Sequence, residues 1–522
     1  MKTYIINKFK IALCILAIGF SGCDSLVYEE PISEIGPGSF WLNNEDAEAG
    51  VIAIYDAMQG TYRLKHFIWG EWRADNFDAA GGSAEADFVE LINNNITPGN
   101  EVTLRWNVLY VMIYRANLAI DKIPEITAFN PNLLGEAHAL RAKAYFDAIR
   151  VWGAVPLFTE PTSSPLDASR PATDATTIIN EVIIPDMLKA EELINIPSRN
   201  SRFSTASVYA LQAEVYMWLK DYTNAKIALD NLIALNEHRL VTSVEGWQNL
   251  FFNDFLANDK RQVGSELIMS IVYSNDEEGN FGGQFNNRSG IFELFFAGIP
   301  KGVFSADIEN KWREKFPVDS LNWVTKYPDT DPQLTEIELV TNEEGEVIEV
   351  EKPVYGDWRY IWSREDGIRG LTTVQIGDAR VAKWTKTNFN RNFDNTDIVI
   401  YRFAGMLLLL AEAENKLGND DRAFEIVNQL RAARLLPPVS EEEFGATMDE
   451  REDFILEERR YELFAEGSRW WDLIRTDKVF DVLNPRLESM AGGVPLTQDR
   501  LLFPIYFNHL VDNPLLEQNS AY

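Results

Sequence analysis

Apolar residues recur at i, i+3 and i+4 spacing along much of the chain, and polar or Gly/Pro positions mark where each stripe begins and ends. Residues 44–59 open on Asn44-Glu45-Asp46, a cap followed by acids in the first turn, and continue with Ala and Ile at helical spacing. Residues 102–123 place Leu104, Val108, Val111, Met112, Leu118 and Ala119 on a helical stripe that Pro124 ends. Residues 134–151 are Ala-rich and stop at Trp152-Gly153-Ala154-Val155-Pro156, where Gly and Pro form a C-terminal stop signal. Residues 206–219 and 223–235, joined through Lys220-Asp221-Tyr222, predict a helical hairpin.

That hairpin has an echo. Residues 209–216 and 220–225 resemble residues 408–414 and 417–423: small residues on a first helix, a short polar turn, then an Ala that seats the second helix. The unit looks like the tetratricopeptide pattern, although the copies do not follow its regular period of about 34 residues. Between them, residues 264–397 are rich in Gly, Asn, Asp, Pro and aromatics, with little helical period. Residues 266–273 read as a strand, and 336–340 with 346–351 as a β-hairpin around the turn 341–345. The predicted class is mostly α: tetratricopeptide-like helix pairs with large irregular loops and a few short β-strands. Helical segments of about 40–263 and 398–522 flank a loop-rich segment of about 264–397, where ligand groups are expected on irregular chain held by a rigid scaffold.

Charge narrows the partners. The 522 residues carry 80 Asp and Glu against 48 Lys and Arg, a net charge of -32. Nucleic acid is a poor partner for such a chain, because phosphate binding is driven by basic side chains. A polybasic contact with a membrane surface is disfavoured for the same reason. The N-terminus supplies a different membrane link. Lys2, Lys8 and Lys10 precede the apolar run 11–20 and then Ser21-Gly22-Cys23, the layout of a secretory signal over residues 1–22. Phe20-Ser21-Gly22-Cys23 resembles a bacterial lipobox, with Phe20 where Leu is more usual, and assigns Cys23 as the lipidated first residue of a mature 23–522 chain. Cys14 would leave with the signal, so no intramolecular disulfide is expected.

Catalytic patterns are scarce. None of His66, His138, His238 and His509 lies at the i, i+4 spacing of a helical zinc site, and each is expected to be a surface or satisfied core residue. There is no Gly-rich phosphate loop, dinucleotide fingerprint or Gly-x-Ser-x-Gly elbow. Neither a cofactor nor a metal is expected. Carboxylate pairs for glycoside hydrolysis remain open in principle. The densest acidic run, 457–473, stacks Glu458, Glu462 and Glu466 at i+4, with Arg459 in reach of Glu462 and Arg469 in reach of Asp472 at i+3. It reads as an ion-pair network pinning the last helices, since neighbouring guanidiniums lower carboxyl pKa values and make poor general acids.

Aromatic residues point to binding. A sugar presents a flat C–H face that Trp, Tyr or Phe can cover while Asn, Asp and Arg take its hydroxyls. Trp106, Trp152, Trp218, Trp470 and Trp471 fall on predicted helices and read as core, whereas Trp69, Trp72, Trp323, Trp358 and Trp362 fall in irregular segments. The candidate ligand-binding set is Trp72, Asp75, Asn76, Phe88, Phe285, Phe296, Trp323 and Trp362.

Taken in order, several motifs resemble the SusD/RagB family of surface lipoproteins. They are Phe40-Trp41 with Glu45-Asp46-Ala47, Trp72 to Asn76, Trp106, Tyr110 and Arg115-Ala116-Asn117. Glu136, Arg141-Ala142, Tyr145-Phe146, Gly153 to Leu157, Tyr401-Arg402 and Ala411-Glu412-Ala413 follow. The most specific run is Glu458-Arg459, Glu462-Leu463, Glu466-Gly467, Arg469 and Asp472-Leu473. Asn513-Pro514 and Gln518-Asn519 close the pattern, with Ser520-Ala521 where Pro-Gly is more usual. The resemblance implies four tetratricopeptide-like helix pairs decorated by ligand-holding loops and no catalytic residue among its motifs. It further implies an outer-membrane location, a SusC-like TonB-dependent transporter as partner, and a glycan ligand. Peptide capture of the RagB type is the alternative, and glycoside hydrolysis a more distant one.

Overall fold

A computed structural model describes residues 40–522 apart from 82–84, 163, 252–261, 274–288, 297, 331–333, 343, 366–373 and 385–395. Helices α1 (Asn44–Gly70) and α2 (Asn107–Lys122) form the first antiparallel pair, with Arg115 of α2 reaching Asp56 of α1 at 2.7 Å. Helices α3 (Pro131–Trp152) and α4 (Ile184–Leu193) make the second, and α5 (Thr205–Trp218) with α6 (Tyr222–Ala234) the third. After the loop-rich segment, α10 (Phe403–Lys416) and α11 (Asp420–Ala433) make the fourth. Each pair packs on the next, α2 on α3, α4 on α5 and α6 on α10. The result is a continuous stack of helix pairs in which each unit buries the face its neighbour leaves open. Helices α12 (Met448–Glu462) and α13 (Arg469–Arg475) close it against α10 and α1 respectively.

Among the described residues, eight short strands form four two-stranded antiparallel sheets. They are β1 (Phe77–Asp78) with β5 (Val303–Phe304), β2 (Val155–Pro156) with β3 (Ala172–Thr173), β4 (Leu267–Ile271) with β8 (Ile398–Arg402), and the hairpin β6 (Leu334–Thr341) with β7 (Val347–Val354). The strand expected at 266–273 and the hairpin around 341–345 are both present.

Three local expectations need correction. The first helix runs to Gly70, not Gln59, because Tyr62, Phe67, Ile68 and Trp69 continue its buried stripe. Trp69 is therefore helical. The helix expected over 102–123 is broken at Arg105 and Trp106, with a single turn Glu101–Leu104 before α2. Trp106 wins this contest by tertiary packing: its backbone N–H donates to His509 and its ring stacks on that imidazole. Finally, the loop-rich segment holds helices α7 (Ala306–Lys315), α8 (Ser320–Lys326) and α9 (Trp358–Ser363), so Trp323, Trp358 and Trp362 are helical too. These helices are short, and isolated stretches under about 12 residues give a weak periodic signal.

Candidate functional site

The chain leaving α1 carries the first three candidate binding residues into the interior. Trp72 is fully buried and packs against Phe77 at 4.7 Å, Phe88 at 5.5 Å and Phe295 at 5.7 Å between ring centroids. Asp75 accepts from Arg469 at 2.9 Å and pairs with Arg460 at 3.0 Å. Burial would raise its carboxyl pKa, but Arg460 and Arg469 overcome that and hold it well below the usual range. Asn76 donates to Glu71 at 2.7 Å and accepts from Arg460 at 2.9 Å. Phe88, Phe296 and Trp323 are also buried, Trp323 beside Tyr327 and Tyr355. Burial sets these residues apart from the expectation: as placed, they pack beneath the loops with no ring face open to solvent. Trp362 is half-buried, and Phe285 lies outside the described residues.

The acidic run forms a network, but with partners other than those expected. Glu462 accepts from Arg359 at 2.6 Å, Arg402 at 2.6 Å and Arg434 at 2.7 Å. Glu458 pairs with Arg359 at 2.9 Å, and Glu466 with Arg402 at 2.6 Å and Lys383 at 2.5 Å. Arg459 turns to Asp472 and Arg469 to Asp75 and Glu457, so the i+3 pairs Arg459–Glu462 and Arg469–Asp472 give way to longer-range bonds. Burial opposes ionisation of Glu462, and Arg434, Arg402 and Arg359 overcome it, leaving its carboxyl well below the usual range. These acids are fixed anions that knit α9, β8 and the end of α11 to α12, a poor basis for proton transfer.

Two further surfaces lie apart from these buried acids. At the loop end, Glu365 and Arg380 pair across a short backbone bridge, and Arg380 donates to the carbonyl of Gly298 at 2.9 Å. Ile299 is exposed, whereas Lys301, two residues on, is buried and pairs with Glu85. Trp362, half-buried against the core, precedes Ser363, whose carbonyl accepts from Ala382.

The second surface is a groove of about 360 Å³ between α2, the segment after β2 and helix α14 (Phe507–Asp512). Its floor holds Trp106, Tyr110, Ile113, Phe158 and Leu516. Trp106 lies over His509, with centroids 4.6 Å apart and planes 8° from parallel. Burial lowers the His509 pKa to about 4, which keeps the ring neutral so that a bare nitrogen can accept from Trp106 N–H. Tyr110 donates to the Pro156 carbonyl at 2.8 Å, and Asn117 donates to that of Phe158 at 2.9 Å, fixing the wall of the groove. Sequence reasoning placed Trp106 among core residues and passed over Tyr110, Tyr114 and Phe158 as ligand candidates. The aromatic i, i+4, i+8 series Trp106, Tyr110, Tyr114 was the available signal, since that spacing lines one helix face. Among the described residues no group of three or more His, Cys, Asp or Glu side chains could hold a metal ion.

The chain belongs to the SusD family. The SusD family model matches residues 248–522, and one described as starch-binding associating with outer membrane matches 46–217. A curated relative, SusD-like protein P38 of Formosa agariphila, is 44% identical over 98% of each chain. Among solved structures, a SusD superfamily protein of Bacteroides vulgatus superposes with a TM-score of 0.68 at 18% identity, covering 92% of this chain and all of that one. A laminarin binding SusD-like protein gives 0.64 at 23% identity, with the same coverage. These likenesses establish the helical fold described above, and the family is associated with the outer membrane and with glycan binding.

Proposed function

We propose that this protein is a lipid-anchored surface protein that binds an oligosaccharide or polysaccharide and delivers it, uncleaved, to a SusC-like TonB-dependent transporter. Family membership over the whole chain, at 44% identity to a SusD-like relative, carries the reading. The glycan is held at the loop end, with Trp362 supplying a ring face and Arg380 and Glu365 the polar rim. The buried, guanidinium-paired acids of α12 support a binding role over hydrolysis.

Trp362→Ala is expected to weaken glycan binding about tenfold, about 1.4 kcal/mol, while the protein still unfolds in a single cooperative transition. Co-expression with the neighbouring transporter should yield a complex retained through purification. Peptides co-purifying with the protein, together with indifference to Trp362→Ala and to every glycan tried, would replace this reading by peptide capture.

A further inference from the structure

The aromatic groove lies on the helical body, and nothing in the loop-end reading employs it. Its lower part is apolar and its mouth is polar. Glu160, Ser169 and Asp512 are exposed there, Thr162 and Asn513 are half-buried, and Tyr114 is 41% exposed with an open ring. Asn513 is already committed, donating to the Arg170 carbonyl, and Arg170 in turn stacks on Phe158 and donates to the Leu157 carbonyl at 3.0 Å. Neither the Glu160 nor the Asp512 carboxylate has an ion-pair or hydrogen-bond partner among the described residues, in contrast to the paired acids of α12. The groove thus joins aromatic walls to two free acceptors, and its volume falls within the about 300–1,000 Å³ of small-ligand pockets.

These features discriminate between ligand chemistries. Val108 and Val111 of α2, Phe507 and Val511 of α14 and Leu515 just after it are exposed, but the exposed members of the lining itself are Tyr114, Ala168 and three polar residues, which match a hydroxyl-rich ligand better than an apolar protein face. A sulfated or uronate sugar would place its charge beside Glu160 and Asp512, where like charges repel. A neutral sugar can lay its C–H face on Tyr114 and Tyr110 and donate hydroxyls to both carboxylates; an amino sugar adds a charge-assisted bond.

We propose that this groove is a second saccharide site, separate from the loop end, that holds a neutral or amino-bearing portion of a glycan chain. The proposal rests on the protein being a glycan binder. Two sites on one body would also let a long polysaccharide engage both at once, raising its apparent affinity above that of short fragments.

Calorimetry with short neutral gluco-, manno- and xylo-oligosaccharides, chitosan oligomers and sulfated counterparts tests it. Tyr114→Ala, and separately the pair Glu160→Lys with Asp512→Lys, are expected to weaken one neutral or amino member of the panel about tenfold, about 1.4 kcal/mol. Trp362→Ala should leave that binding intact. The two lysine substitutions lie at exposed positions, so a folding failure of Tyr114→Ala would not remove the test. Binding altered only by Trp362→Ala overturns the groove site and leaves the loop-end reading standing. Tighter binding of sulfated members to the unmodified groove, or groove variants that change only association with a protein partner, overturns it as well. No binding by any panel member overturns both readings.

Discussion

At Glu462 three guanidiniums, from Arg359, Arg402 and Arg434, converge on one carboxylate with no exposure to water. Removing the charge leaves three cations short of a partner in a dry interior, so Glu462→Gln is expected to cost about 3–5 kcal/mol in urea unfolding. The same site sets a pH dependence. Glu458, Glu462, Glu466 and Asp75 all have folded-state pKa values below their unfolded ones, since guanidinium or ammonium partners outweigh burial in each. Their contribution is present above the ordinary carboxyl pKa of about 4.5 and is lost as pH falls through the lowered values. The urea midpoint should therefore drop steadily below about pH 4.5. Glu71 acts in the opposite sense: burial raises it to about 7 despite hydrogen bonds from Asn76, Gly467 and Ala465. Its contribution declines as pH rises from about 4.5 to 7, and Glu71→Gln should flatten the midpoint profile in that window. The sequence showed that these acids and bases pair; it could not show which, because i+3 neighbours compete with partners from α9, β8 and the end of α11 that only the tertiary fold brings near.

The helical hairpin of α5 and α6 was readable almost to the residue, because a strong stripe, a polar turn and an N-terminal cap agree. The end of α1 was not. Its stop is set by contact, since a Cβ on Gly70 would lie 1.8 Å from the Gly467 carbonyl oxygen. Gly70→Ala is accordingly expected to destabilise by about 3 kcal/mol, a backbone clash that side-chain motion cannot relieve. The β6–β7 hairpin offers the reverse case. Its strands pair with each other, and Leu339 and Val347 are 67% and 65% exposed. Excising 334–354 with a short Gly-Ser bridge should change unfolding of the body by less than about 1 kcal/mol, measured by the urea midpoint.

Across the whole molecule, the stacked helix pairs explain why family and fold were legible in the sequence while the binding site was not. The family motifs are chiefly scaffold residues: Trp72, Asp75 and Asn76 support the loops from beneath, and Glu458 to Asp472 bind the last helices to the stack. Aromatic residues in loop-like sequence attract attention as ligand platforms, yet the same bulk makes Trp72, Phe88 and Trp323 the residues best able to fill the core under those loops. The half-buried Trp362 and the exposed Tyr114 lie on helices, where periodicity alone gives them no distinction. The most direct measurement of the central claim is calorimetric titration of the purified protein across a glycan panel, followed by product analysis of each mixture. Saturable binding of an oligosaccharide recovered intact is the expected result; absence of binding to every glycan, or release of shorter products, would contradict it.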